Sequence, residues 1–177
     1  MAPARRSGAG GRPRDGGIAP TIDVTVTDRQ RIVRIGGKWL ERLARRVLAH
    51  QGVEAAEIGI LLVDDRRIAA LHGRWLGDPT PTDVITFDLT ESDAPVDGPL
   101  RGDVVVSAET ARRVGRDFGW TPRLEVAYYV VHGLLHLTGY DDRTPVRRRA
   151  MRARERLVMR AVGLPPPPRA TRRGPSR

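Results

Sequence analysis

The period of apolar and polar positions changes along the chain, and each period predicts an element. Ile22, Val24 and Val26 alternate with polar neighbours, which predicts a strand with one buried face. Trp39, Leu40, Leu43, Ala44, Val47 and Leu48 then recur at helical spacing between about Gly37 and His50. Glu57 to Val63 is a near-continuous apolar run of strand length. It ends at Asp64-Asp65, a good N-cap for a short helix from Arg66 to Leu76. Pro79 and Pro81 break the pattern. Asp83 to Leu89 reads as a third strand and Gly102 to Ser107 as a fourth, with an acidic loop over 90–100 between them. Ser107 and Glu109 open a helix that runs to about Phe118 and stops at Gly119. Thr121-Pro122 and Thr144-Pro145 each combine an N-cap with proline at the first helical position. They open helices over about Arg123–Leu137, ended by Thr138-Gly139, and Val146–Val162. Four strands and five helices in one domain at 21–163 predict the α+β class. Residues 1–20 and 164–177, rich in Gly, Pro and Arg, cannot bury enough apolar surface to offset ordering entropy, and disordered tails are expected there.

Charge sharpens this picture. Residues 1–20 carry a net +3 and residues 143–177 a net +11, so that, of the formal +10, −4 remains for 21–142. A mildly acidic body thus has strongly basic ends. Lys38 is the only lysine. The other cations are guanidiniums, whose planar fork suits phosphate, and nucleic acid is the first partner implied. Composition also excludes several classes. With no cysteine, disulfide-linked partners, iron–sulfur clusters, zinc ribbons and thiol nucleophiles fall away. No apolar run approaches the ~20 residues of a spanning helix. The N-terminus lacks the apolar stretch of a secretory signal, so a cytoplasmic protein without membrane attachment is expected.

The chemistry concentrates in His132-Gly-Leu-Leu-His136-Leu-Thr-Gly139-Tyr-Asp-Asp142. Two of the four histidines stand at i and i+4, on one helical face, where both imidazoles can converge on one cation. Gly139 can take a left-handed conformation that turns the chain back, making Asp142 the natural third ligand. Three protein ligands leave a position open, in the manner of a catalytic site, where a water would become more acidic. The layout is close to that of a metzincin-type protease, but the general base of those enzymes directly follows the first histidine, and that position is Gly133.

The same residues resemble the YbeY-type bacterial endoribonucleases of rRNA maturation, whose signature is H-G-x-L-H-L-x-G-Y-D-H. The match covers His132, Gly133, Leu135, His136, Leu137, Gly139, Tyr140 and Asp141. Pro81-Thr82-Asp83-Val84-Ile85-Thr86-Phe87 and Gly102-Asp103-Val104-Val105-Val106-Ser107 are similar to two further family blocks in the same order. The resemblance implies a four-stranded mixed sheet packed with helices, the histidine helix central, and the site in a groove at that helix's C-terminal end. It implies a metal-dependent endoribonuclease specific for single strands, acting on ribosomal RNA of the small subunit at the 16S 3′ end and in ribosome quality control.

One zinc per chain is expected on His132, His136 and Asp142. The family has histidine at the third position, and the carboxylate of Asp142 softens the preference toward manganese or iron(II). Leu76 stands where many members carry an arginine, and Arg74, two residues earlier, is the candidate substitute. Glu125, seven residues before His132 on the same face, is a candidate proton acceptor or orienter. In the last helix Arg147, Arg148, Arg152 and Arg156 are the candidate RNA contacts. The three tryptophans, Tyr128 and Tyr129 are expected to pack the core. Two other readings of the motif are a non-catalytic RNA- or ribosome-binding factor with a structural metal and a metalloprotease-like hydrolase.

Overall fold

A strand with almost no polar alternation needs cover on both faces, and this requirement organises the molecule. The computed structural model describes residues 21–91 and 98–168. Its elements run β1 (Thr21–Asp28), α1 (Gly37–His50), β2 (Ala55–Val63), α2 (Asp65–Leu76), β3 (Val84–Asp88), β4 (Leu100–Ser107), α3 (Ala108–Asp117), α4 (Pro122–Leu137) and α5 (Pro145–Ala161). The strands form one sheet in the order β1-β2-β4-β3. β2 is parallel to both β1 and β4, while β3 returns antiparallel along β4 as a short edge. The class, the four-stranded mixed sheet and the five helices are those the sequence predicts.

Successive strand residues point to opposite faces, and here both faces are used. Ile58, Ile60 and Leu62 of β2, with Val104 and Val106 of β4, join α1, α4 and α5 in the main core. Leu61, Val63, Ile85 and Val105 point the other way and meet Ile68 and Leu71 of α2. The continuous apolar run of β2 is therefore the mark of a central strand. α2 covers only part of the second face, and Trp75 at its end is 61% exposed. This corrects the expectation that all the tryptophans enter the core. Trp75 meets Phe87 edge-on, and the Arg74 guanidinium lies over the Trp75 ring, 5.4 Å from its centroid.

The predicted caps close the helices. Asp64, Ser107, Thr121 and Thr144 each accept a backbone N–H three residues on. Residues 1–20, 92–97 and 169–177 lie outside the described residues, so both expected tails and most of the acidic loop do so too, with one exception at the C-terminal boundary. Leu164 packs against the core and Pro167 is buried, so packed chain continues past the expected end at 163. No helix among the described residues is long and apolar enough to cross a membrane.

α4 lies close to the sheet because a glycine stands on each side of their contact, Gly133 on the helix and Gly102 on β4. A Cβ on Gly133 would come within 2.7 Å of Val104 Cγ1 and 3.1 Å of Thr86 Oγ1, and one on Gly102 within 2.6 Å of Leu137 Cδ2. Gly133 is thus a point of close contact of the helix with β3 and β4, and its neighbour His132 is turned toward Glu155 of α5. We expect Gly133→Val to lower the unfolding free energy by roughly 1–3 kcal/mol through overpacking, read from the midpoint of a urea titration. An unchanged midpoint would mean that the helix does not press on the sheet there.

Candidate metal centre and its cleft

His132 and His136 occupy the last two turns of α4, and Gly139, with φ +92°, ends it. The turn is fixed by backbone bonds from Gly139 N–H to the His136 carbonyl at 3.0 Å and from Tyr140 N–H to the Leu135 carbonyl at 3.0 Å. It returns the chain so that ligand atoms of His132, His136 and Asp142 lie within 4.8 Å of one another. The same turn presents the Tyr140 carbonyl to His136, whose Nδ1 is 3.0 Å away.

The hydrogen bonds decide the tautomers. A carbonyl only accepts, so His136 Nδ1 carries the proton and donates to Tyr140. His132 Nδ1 lies 2.7 Å from Glu155 Oε1, a carboxylate, and likewise donates. Both remaining nitrogens are then lone-pair acceptors, and these two Nε2 atoms face each other at 3.1 Å. Two acceptors in contact repel unless a cation lies between or beside them. With a carboxylate beside them, the donor set fits a divalent metal of the kind that nitrogen and oxygen ligands bind. Burial and then the neighbouring His132 imidazole push the pKa of His136 below the ordinary histidine value, against the upward pull of the Asp142 carboxylate. The neutral form that a metal requires is favoured.

Glu155 was not singled out from the sequence, yet it is central. It is only 2% exposed, on the inner face of α5, and its other oxygen accepts from Tyr128 Oη at 3.0 Å. A buried carboxylate needs such partners. The signal was present: Glu155 is the one acid among twelve arginines in 143–177, and it keeps helical register with Met151, Val158 and Met159, all buried. Its bond to His132 matches the carboxylate–histidine–metal arrangement that fixes ring orientation and raises ligand basicity.

His132 and Asp142 line a cleft of about 690 Å3. Pro81, Thr82 and Asp83 before β3, Thr110 and Arg113 on α3, and Arg148 and Arg152 on α5 complete much of its wall. Of the expected RNA contacts, Arg148 and Arg152 therefore reach the cleft. Arg147 lies outside its lining and pairs with Asp141 at 2.8 Å, and Arg156 also lies outside it. Neither other candidate joins the cleft. Glu125 is fully buried in the first turn of α4 beside Gly115 of α3, two turns from His132, and Arg74 lies against Trp75 on α2. Leu76 is exposed at the end of α2. Tyr128 packs as expected, but its hydroxyl also serves Glu155.

A family model described as "Endoribonuclease YbeY" matches residues 22–163. The chain is 45% identical over 131 residues to the Endoribonuclease YbeY of Anaeromyxobacter sp. (strain Fw109-5), covering 74% of this chain and 67% of the relative. It is 37% identical over 129 residues to that of Pelotomaculum thermopropionicum, covering 71% and 85%. The solution structure of TM1509 from Thermotoga maritima superposes with a TM-score of 0.51 at 25% identity, over 77% of this chain and 89% of the other.

Removing the charge of Glu155 tests how the histidine is held. Glu155→Gln is expected to weaken metal binding by about 10–100-fold in a calorimetric titration, with the fold kept. An unchanged affinity would leave Glu155 a packing role only.

Proposed function

The chain belongs to the YbeY endoribonuclease family, and from that premise we propose that it cuts single-stranded RNA at a metal held by His132, His136 and Asp142, in the maturation of small-subunit ribosomal RNA in the cytoplasm. Its substrate class is RNA, and its chemistry is hydrolysis of a phosphodiester. The observation that carries the metal assignment is the pair of facing Nε2 lone pairs, each imposed by a hydrogen bond behind the ring. Zinc is the ion we assign, with manganese or iron(II) accommodated by the carboxylate of Asp142. When bound, the ion supplies Lewis acidity toward a phosphate oxygen and acidifies a water.

The chain's own residues do the rest. Glu155 and the Tyr140 carbonyl hold a proton on each Nδ1, so that both Nε2 atoms stay free to ligate. Arg148 and Arg152 bring positive charge to the cleft wall and draw the phosphodiester backbone toward it. Arg147 and Arg156 add to the field of α5 from outside the cleft. The placement of Gly133 argues against peptide hydrolysis. The position that bears a metzincin's general base faces Val104 and Thr86 and has no room for a side chain.

Purified protein is expected to cut an end-labelled unstructured RNA, to stop in chelator and to recover with zinc or manganese. His136→Ala should lose cleavage while keeping its circular dichroism spectrum. Cutting retained by that variant would remove the metal from the reaction. Stoichiometric metal uptake without any cutting would favour a binding factor whose metal only staples the turn.

A further inference from the structure

α4 packs against both α3 and α5, and the cleft runs across it. The arginines on the α5 side were expected from charge alone. On the α3 side stands another, Arg113, in a setting unlike theirs. Its Nη1 donates to Asp65 Oδ2 at 3.0 Å and its Nη2 to Thr110 Oγ1 at 2.9 Å. The Thr110 hydroxyl gives its own proton to Asp65 Oδ1 at 2.7 Å, and Ser107 Oγ donates to that same oxygen. Asp65 in turn donates its backbone N–H to Glu109 Oε2 at 3.2 Å. The starts of α2 and α3 are thereby locked together, with Arg113 at the outer end of the network. Burial alone would raise the pKa of Asp65, but the bonds from Ser107, Thr110 and Arg113 outweigh it, so the carboxylate stays charged as the anchor.

The Arg113 side chain is nevertheless 61% exposed, whereas that of Asp65 is 17% exposed. Arg113 and Thr110 line the cleft and Asp65 does not, so a phosphate entering the cleft meets the guanidinium before the carboxylate. Two of its five N–H donors are committed inward, which leaves the others for a ligand. Such a side chain loses its rotamer freedom on folding, and little is left to lose on binding. An exposed ion pair contributes only about 0–1 kcal/mol to stability. Asp65 would keep two hydroxyl donors without Arg113, so support of the fold is a weak reason for the arrangement.

We propose that Arg113 is a positioning residue that holds a backbone phosphate of bound RNA from the α3 side of the cleft. With Arg148 and Arg152 on the α5 side, the strand is gripped on both sides of His132 and lies across the metal centre. This rests on the RNA-cleaving reading above.

The test is equilibrium binding of a labelled unstructured RNA to the full chain in chelator, over a range of potassium chloride, for wild type, Arg113→Ala and Arg113→Gln. The glutamine variant keeps a donor for Asp65 should the alanine variant fold poorly. Each is expected to bind about 5–10-fold more weakly, with the slope of log affinity against log salt shallower by about 0.7, the loss of one phosphate contact on a single strand. With metal restored, KM should rise by the same factor while kcat changes less, and melting temperature and metal affinity should hold. Arg113→Lys should recover the slope. Wild-type affinity and slope in both the alanine and glutamine variants would overturn the proposal. Failure of the wild-type protein itself to bind RNA would overturn the RNA reading and this proposal with it.

Discussion

Two imidazole nitrogens that face each other with nothing to share are the constraint on which the site depends. His132 and His136 could relieve the contact if either ring carried its proton on Nε2. Neither is free to do so. The Tyr140 carbonyl takes the proton-bearing side of one ring and the Glu155 carboxylate that of the other. The backbone turn at Gly139 is what places the carbonyl, and the packing of α5 on α4 is what places the carboxylate. Tertiary structure, and not helical spacing alone, turns a histidine pair into a pair of facing acceptors suited to a metal.

Bringing the His132 ring to the cleft wall, with His136 one turn on, while α4 buries most of its length requires the helix to sit low on the sheet. Gly133 and Gly102 permit this from the two sides of one interface. Val126, Val130 and Leu134 then fill the core on one flank while His132 and His136 emerge at the end. β2 and β4, parallel, covered on one face by the main core and in part by α2 on the other, form the platform beneath, and the Pro81–Asp83 segment enters the edge strand β3 from the cleft wall. A helix forced away from the sheet at position 133 would carry both ligands with it.

The elements were legible from apolar period and from the Asp, Ser and Thr caps because both are local signals. So were His132, His136 and Asp142, which one turn brings together within a short stretch of chain. Glu155 and Arg113 were not, because their roles exist only across elements: 23 residues separate Glu155 from His132, and 48 separate Arg113 from Asp65. Trp75 misled for a related reason. Its place in the apolar pattern of α2 is sound, but whether a helix face is covered depends on how far the neighbouring elements extend over the sheet. Glu125 shares the face of His132 in projection, yet two helical turns of rise and the cover of α3 keep it from the cleft.

Charge placement ties these observations together. Asp142 brings a carboxylate to the candidate ligand set, and Glu155 sets a second directly behind His132. Both lower the positive charge that a bound divalent ion would present to a polyanionic substrate. The surrounding chain supplies positive charge from outside the ligand set, with Arg148 and Arg152 on one wall and Arg113 on the other. Lysines could give the same charge, but a guanidinium can be anchored by some of its donors while offering the rest, as Arg113 is by Asp65 and Thr110. A cleft with one carboxylate in its candidate ligand set and another behind a histidine can thus still attract phosphate, because the positive charge comes from residues outside that set.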